Sequence, residues 1–553
     1  KENKGIEIDV LELPFDDKKT FDMLKVGNNV GVFQVESAGM RDLGKQIGIS
    51  NLEELLAVIA LYRPGPMENI PVYLENVKNP EDIDFMHPKL KPITEDTYGV
   101  MIYQEQVMQA AQVLAGYTLG GADLLRRAMG KKIQAEMDTQ RTMFVKGAFE
   151  HNQIPEEQAN HIFDQIAAFA GYGFNKAHTA GYGLVSYWTG WLKANHPLEF
   201  MAASMTLDAG NTDKLSVFKQ ELGRMGAPLK LPNVNKSDVF FKVDGEGVRY
   251  ALAGLKGVGE AAMHVLVDER TENGPYKDLE DYASRFSFKS MNKRQMEMLT
   301  SAGAFDVFNK NRAQVFAGIE TILGHASQLE IDRESGQNNL FGDVGGSDHA
   351  LGMPNLPDVT DWDPLETMAQ EFKAVGFYLS AHPLDTRQVQ LKRLRIRDMA
   401  EVEKELQNKN AARFRMAGVI LKKQEKVSAK SGNKFAFLQV SDPVGVWEGM
   451  VFSETLARCR NSMNTGDHVL LSVDVEVKEG ELRFLVQDAL PLDDALADSV
   501  QQVRITIDAR TDIKKLHDGL KGCDVGGICP LHIYAPMPDG GQVRLVIPGL
   551  WQI

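Results

Sequence analysis

The feature that most constrains this chain is a change of texture along it. Residues 1 to about 205 carry apolar side chains at helical spacing, whereas residues 411–492 read as a succession of strands. A long helical part and a long strand part call for separate cores. The 553 residues are therefore expected to form roughly three to five domains.

Punctuation supports the helical part. "NLEELLAVIALY" is amphipathic and stops at "RPGP", where two prolines remove backbone donors. "YQEQVMQAAQVLAGY" ends at Gly116. "PEEQANHIFDQIAAFAGYG" enters on Pro155, Glu156 and Glu157 and spaces Ile162, Phe163, Ile166 and Phe169 helically. From about residue 206 the texture shifts. "VFFKVDGEGVRYAL" reads as two short strands joined near Gly245 and Gly247. Residues 325–370, rich in Gly, Asn, Pro and Asp, read as a loop-like linker. About five strands and one helical stretch near 454–462 predict a small closed barrel. Residues 500–553 read as strand, helix, strand, strand.

Composition removes several classes. No run of about 18 apolar residues exists, so no membrane helix is expected. The first residues lack the apolar core of a signal peptide. Cys459, Cys523 and Cys529 form neither a CxxC pair nor a disulfide framework, which fits a reducing cytoplasm. The net charge of −15 argues against a generally sticky nucleic-acid coat but leaves room for local basic grooves.

One candidate cationic stretch is "YTLGGADLLRRAMGKK". At about 100° per residue, Leu124, Leu125, Ala128 and Met129 fall on a packing side, opposite Asp123, Arg126, Arg127, Gly130 and Lys131. Like charges at Arg127 and Lys131 cost about 0.2–0.5 kcal/mol. Two readings stand: a solvated basic helix end, favoured by the helix dipole, or an anion site with phosphate as its ligand. "GYGFNKAHTAGYGLVSYWTGWLK" shifts the balance. Glycines alternate with aromatics, and Lys176 and His178 sit among Tyr172, Phe174 and Tyr182. Backbone, ring and cation together suit a flat ligand, although core packing and an interior histidine remain open. No HExxH, GxSxG or GxxxxGK[ST] motif and no paired aspartate metal motif stands out.

The second part adds three stretches. In "LKGVGE", Gly257 and Gly259 can expose N–H groups to a phosphate beside Lys256, or form a plain tight turn. In "SGQNNLFGD", Gln337, Leu340 and Phe341 suit a peptide docking in an apolar pocket, or a local loop anchor. "KKQEKVSAKSGNKFAFLQV" sets Lys422, Lys423, Lys426, Lys430 and Lys434 around a turn, followed by Phe435 and Phe437. That resembles a single-strand-binding OB surface, or a soluble charged hairpin.

Together, "GVFQVESAGMRDL", "LYRPGP", "YGVMIYQEQVMQAAQVLAGYTLGGADLLRRAMGKK", "FAGYGFNKAHTAGYGLVSY" and "LKGVGE" resemble the bacterial replicative DNA polymerase III alpha-subunit family, of the DnaE type. The resemblance covers essentially the whole chain. It implies a multi-domain α+β fold with mainly helical fingers, a helix-hairpin-helix domain, an OB-fold β-barrel and a small α/β C-terminal domain. The implied boundaries are palm edge and fingers at 1–205, a duplex-binding helix-hairpin-helix domain at 206–305, and a clamp-binding segment and linker at 306–404. The OB-fold follows at 405–495 and a tau-binding-like domain at 496–553.

By the same resemblance, Arg126, Arg127 and Lys131 would face a dNTP triphosphate, and Tyr172, Lys176 and His178 would line the nucleotide and nascent pair. Lys256, Gly257 and Gly259 would grip duplex, while Lys422, Lys423, Lys430, Lys434 and Phe435 would face single-stranded DNA. Gln337, Leu340 and Phe341 would bind the beta sliding clamp. Further implied partners are primer-template DNA, the clamp-loader tau subunit, and a proofreading exonuclease bound through a region upstream of this start. The family's palm carboxylates and their Mg²⁺ ions would also lie upstream, so this chain alone is expected not to polymerise, and its C-terminal tail is expected to be cut short. The alternative is a non-catalytic DNA-binding scaffold with helix-hairpin-helix and OB modules.

Overall fold

Helix ends fall where the caps and breakers of the sequence put them. Helix α1 (Leu52–Leu61) starts at Asn51, whose side chain accepts the Glu54 N–H, and carries Glu53 and Glu54 in its first turn. Helix α2 (Gln104–Ala115) ends at Gly116, which takes φ +68°, a value that favours glycine. Helices α3 (Leu119–Lys131), α4 (Gln134–Asn152) and α5 (Glu156–Ala170) follow. Asn175 caps the long helix α6 (Lys176–Asn195) by accepting the His178 N–H. The computed structural model describes residues 1, 3–131, 134–170, 173–286, 290–335, 352–406, 409–428, 432–478, 481–497, 503–508, 511–521, 531–537 and 542–547. The chain divides into two units, Lys1–Ser380 with residues 479–481, and Ala381–Lys478 with Leu482–Ile553.

In the first unit, α2 to α5 share one core built from Val107, Leu114, Leu125, Phe144, Phe163 and Ile166. The helices α2 and α4 cross closely at Gly147, where an added Cβ would sit 2.2 Å from the Ala115 carbonyl oxygen. The packing stripe of α3 differs from the expected one. Ala122, Leu125 and Ala128 are buried, whereas Leu124 is 62% exposed. A three-residue spacing along one stripe leaves Leu124 about 100° away from it.

A second core follows helices α7 (Pro197–Leu207) and α8 (Thr212–Arg224). Strands β1 (Leu229–Lys230), β2 (Lys242–Asp244) and β3 (Gly247–Arg249) form a small sheet in the order β1-β3-β2. Helices α9 (Glu260–Asn273), α10 (Leu279–Arg285) and α11 (Lys293–Ser301) pack beside it through Leu266, Tyr282 and Leu299. The expected linker at 325–370 is partly helical. Helix α12 (Ile319–Ser335) and helix α13 (Pro364–Val375) place Ile322, Ala326, Ala374 and Val375 in the same core. Apolar residues at helical spacing outweigh the loop-like composition between them, and Asp363 caps α13 ahead of Pro364.

The second unit contains a closed five-stranded barrel, β4-β5-β6-β8-β7. Its strands are β4 (Ala411–Val427), β5 (Lys434–Ser441), β6 (Val446–Val451), β7 (His468–Lys478) and β8 (Glu481–Pro491). A bulge between Ile420 and Lys422 lets the long β4 serve two partners, pairing β7 with its first half and β5 with its second. Helix α14 (Ser453–Cys459) follows β6. Met416, Leu438, Val440, Leu471, Val473 and Val486 fill the interior. A separate sheet, β11-β10-β9, is made of β9 (Val503–Thr506), β10 (Leu531–Pro536) and β11 (Gln542–Ile547), with helix α15 (Ile513–Lys521) between β9 and β10. Among the described residues no helix is long and apolar enough to cross a membrane.

Candidate nucleotide and nucleic-acid interface

The first turn of α2 joins two stretches that are far apart in sequence. The Gln104 backbone N–H donates to the Phe174 carbonyl at 2.9 Å, and the Phe174 N–H donates to the Ile102 carbonyl at 3.1 Å. The Gln104 amide nitrogen donates to the Gly173 carbonyl at 2.8 Å, and its oxygen accepts from Arg126 at 3.3 Å. Glu105 completes the junction. Its carboxylate accepts the Lys176 N–H at 2.9 Å and the Asn175 amide at 3.0 Å. Arg126 on α3 and the loop leading into α6 are thereby held around one helix start.

Two arginines of α3 converge on a single carboxylate. Arg126 reaches Asp123 at 2.8 Å and Arg127 reaches it at 2.8 Å. The Arg126 hydrogen bond, followed by the Arg127 charge, holds the Asp123 carboxyl below the usual carboxylate range. Arg127 is 62% exposed, so its free donors face water. Across the junction, the Lys176 ammonium lies 5.5 Å from the Tyr103 ring centre. His178 contacts the rings of Phe174 and Tyr182 at 5.3 and 4.6 Å. Two arginines, a lysine and a set of rings can take an anion and a flat group together.

The glycine turn lies in the second core. Gly257 adopts φ +73°, and an added Cβ there would meet Arg294 Nε at 3.2 Å. Gly259 is the N-cap of α9 and supplies no side-chain cap. Among the described residues, the Gly257 and Gly259 N–H groups have no acceptor within the chain. Exposed N–H groups at a helix start attract phosphate. Lys256 forms no ion pair among the described residues, and its ammonium lies 5.8 Å from the Phe372 ring centre. Among the described residues no helix precedes this turn directly, and α10 and α11 follow α9 in the same core.

On the barrel, register sorts the lysines. Lys426 pairs with Phe435, Gln424 with Phe437, and Lys422 with Gln439, so these six share the outward side. Phe435 and Phe437 stand edge to face at 5.5 Å, with the Lys426 ammonium 5.0 Å from the Phe437 ring centre. Lys423 falls on the other side, opposite buried Leu438, and donates to the Arg460 carbonyl at 3.2 Å. Lys434 is exposed at the start of β5. Tyr172, Lys430, Gln337, Leu340 and Phe341 lie outside the described residues, as does the side chain of Lys131. Among the described residues no three His, Cys, Asp or Glu side chains group to hold an ion.

Two family models match parts of the chain that carry Gln104, Glu105, Arg126, Arg127 and the glycine turn. The bacterial DNA polymerase III alpha subunit finger domain matches residues 1–152. The helix-hairpin-helix motif matches residues 226–315. The DNA polymerase III subunit alpha of Caulobacter vibrioides is 44% identical over 551 residues, spanning 100% of this chain and 48% of the relative. The chain belongs to the bacterial DNA polymerase III alpha-subunit family. Other members are similar too. The subunit alpha of Thermus aquaticus is 38% identical over 504 residues, 90% of this chain and 40% of its own. That of Escherichia coli O157:H7 is 34% identical over 564 residues, 99% of this chain and 48% of its own. The chain spans about half the length of the curated relatives it matches, 48% for two of these three.

Several residues at the site carry no conspicuous sequence signal of their own. Arg63 of "RPGP" lies 3.6 Å over the Phe174 ring, and the proline context that ends α1 masks it as a breaker. Gln104 and Glu105 look like ordinary first-turn residues of an amphipathic helix. Arg294 is hidden in a mixed-charge helix start. Glu105 carries a direct test. Glu105→Ala removes the acceptor for the Lys176 N–H, so a capping contribution of about 1–2 kcal/mol is lost. Amide exchange at residues 176–179 is expected to quicken by roughly tenfold, and Glu105→Gln, which keeps one acceptor oxygen, to quicken it less. Unchanged exchange in Glu105→Ala would remove Glu105 from this role.

Proposed function

We propose that this chain supplies the incoming-nucleotide contacts and the DNA grip of a replicative DNA polymerase that extends primers by template-directed dNTP addition. The single observation that carries the reading is the Gln104–Glu105 junction, which holds Arg126 beside the first turn of α6, the turn bearing Lys176 and His178. In this reading Arg126, Arg127 and Lys131 take the triphosphate, and Tyr172, Lys176 and His178 line the nucleotide. The Lys256–Gly259 turn takes duplex phosphates. The barrel is an OB-fold whose Lys422, Lys434 and Phe435 meet single-stranded template. "QNNLF" is the clamp peptide, residues 496–553 meet tau, and the whole acts in the cytoplasm. The rival scaffold reading leaves the finger match over residues 1–152 without an account.

Duplex binding tests the grip. Anisotropy of a labelled primer-template is expected to report binding that weakens steeply with salt. Lys256→Ala and Arg294→Ala are each expected to reduce the slope of log K against log salt by about one. Addition of the templated dNTP is expected to tighten the complex, which the scaffold reading does not predict. A chain that binds no duplex at 50 mM salt, or binds it with the wild-type slope after both changes, contradicts the assigned grip.

A further inference from the structure

A file of rings crosses the finger surface beyond the residues assigned to the nucleotide. Phe33 and Tyr182 stack at 5.7 Å with 29° between their planes, although 149 positions separate them. Phe33 is 37% exposed and Tyr182 42% exposed. Large apolar rings left this open usually have a partner. The pair is held firmly. The Phe33 N–H donates to the Thr189 hydroxyl at 3.1 Å, which fixes the Phe33 backbone on α6. His178, Tyr182 and Thr189 follow one face of that helix at helical spacing.

The file continues from Tyr182 through His178 and Phe174 to the Arg63 guanidinium. Gly181, the neighbour of Tyr182, has nothing within 4 Å of where a Cβ would be, so a planar group can approach over it. Cations mark the far end: Arg63 over Phe174, and Lys176 two residues after Phe174, its ammonium 5.5 Å from the Tyr103 ring centre. A lane of open rings that ends in cations matches the chemistry of a single nucleic-acid strand, with bases on rings and phosphates on ammonium or guanidinium groups.

We propose that Phe33 and Tyr182 form a stacking site for one unpaired nucleobase of single-stranded DNA. The proposal rests on the DNA-binding reading above and adds a subsite to it. Ring faces read no sequence, so the site accepts any of the four bases and prefers those that stack best.

The test uses the whole chain in a Lys422→Ala/Lys426→Ala/Lys434→Ala background, which removes the barrel cations assigned above to single-stranded DNA together with Lys426. The probe is oligo(dT) carrying one 2-aminopurine, whose fluorescence is quenched on stacking. Phe33→Leu and Tyr182→Leu keep apolar volume and remove the ring. Each is expected to weaken binding about 5- to 150-fold with an unchanged salt slope, because no phosphate contact is lost. The 2-aminopurine quench is expected to vanish, and Tyr182→Trp is expected to restore both. Wild-type affinity and quench in the leucine variants overturn the stacking site and leave the DNA reading standing. A Tyr182→Trp variant as weak as Tyr182→Leu also overturns it, since packing rather than stacking would then be at work. If the parent chain binds neither duplex nor single strand, the DNA reading falls first and the subsite with it.

Discussion

Changing Lys193 to Ala is expected to destabilise the first unit by about 3–5 kcal/mol. Lys193 on α6 is 3% exposed and Glu221 on α8 is 4% exposed. The ammonium donates to Glu221 at 2.6 Å and to the Asn28 and Val30 carbonyls at 2.8 and 2.7 Å, so all three of its protons are used. Arg224 reaches the same carboxylate at 2.6 Å from a more open position. Truncating Lys193 therefore leaves two carbonyls and one face of a carboxylate buried with no donor. The double change Lys193→Met/Glu221→Leu removes both charges and is expected to recover part of the loss, because apolar packing can replace the ion pair at little net cost while the two carbonyls stay without a donor.

Urea unfolding followed by the fluorescence of Trp188 and Trp191, both on α6, reads the effect. Acid adds a second check. Burial pushes the Glu221 carboxyl up, but the Arg224 hydrogen bond and the Lys193 charge pull it further down, to below the ordinary value. A carboxylate depressed in the folded state contributes stability above its unfolded value, near pH 4.3, and loses it as pH falls through the folded value. The parent chain is expected to lose this contribution below about pH 4, and the Met/Leu double variant to lack that part of the acid loss. A Lys193→Ala chain with the parent's urea midpoint would show that α6 and α8 are joined by other means.

The legible parts of this chain are those with a local physical signature. Asn51, Asn175 and Gly116 announce helix ends because a cap works within one turn. The barrel strands alternate because a closed sheet has an inside and an outside. Longer-range geometry is less visible. Lys422 and Lys423 look equivalent in sequence, and only the pairing with β5 sends them to opposite sides. Glu105 and Lys176 are 71 positions apart, so no window of sequence links them. The composition of residues 325–370 conceals two helix segments whose apolar residues belong to a distant core. Leu124 shows the same limit on a smaller scale. Its helix has two plausible stripes, and the choice depends on what α2 and α4 present to it.

Arg126 and Arg127 carry the largest expected functional effect. Each guanidinium can give a phosphate a charge-assisted hydrogen bond of about 1.5–3 kcal/mol. Arg127→Ala is expected to weaken binding of dNTP, and of inorganic tripolyphosphate, by about 10- to 150-fold. Arg127 is exposed and, among the described residues, pairs with Asp123 of its own helix, so this change is expected to leave the fold intact. Arg126→Ala removes a second contact as well, the one to Gln104 at 3.3 Å, and is expected to cost more for dNTP than for tripolyphosphate. The difference arises because Gln104 also fixes Gly173, near the residues proposed to line the nucleotide's flat part. Arg126→Lys keeps the charge but loses the fork shared with Asp123, so tripolyphosphate binding is expected to recover more than dNTP binding. Equal losses for both ligands in Arg126→Ala would mean that Gln104 transmits nothing. Unchanged tripolyphosphate binding in the Arg126→Ala/Arg127→Ala double variant would move the triphosphate grip away from α3 altogether.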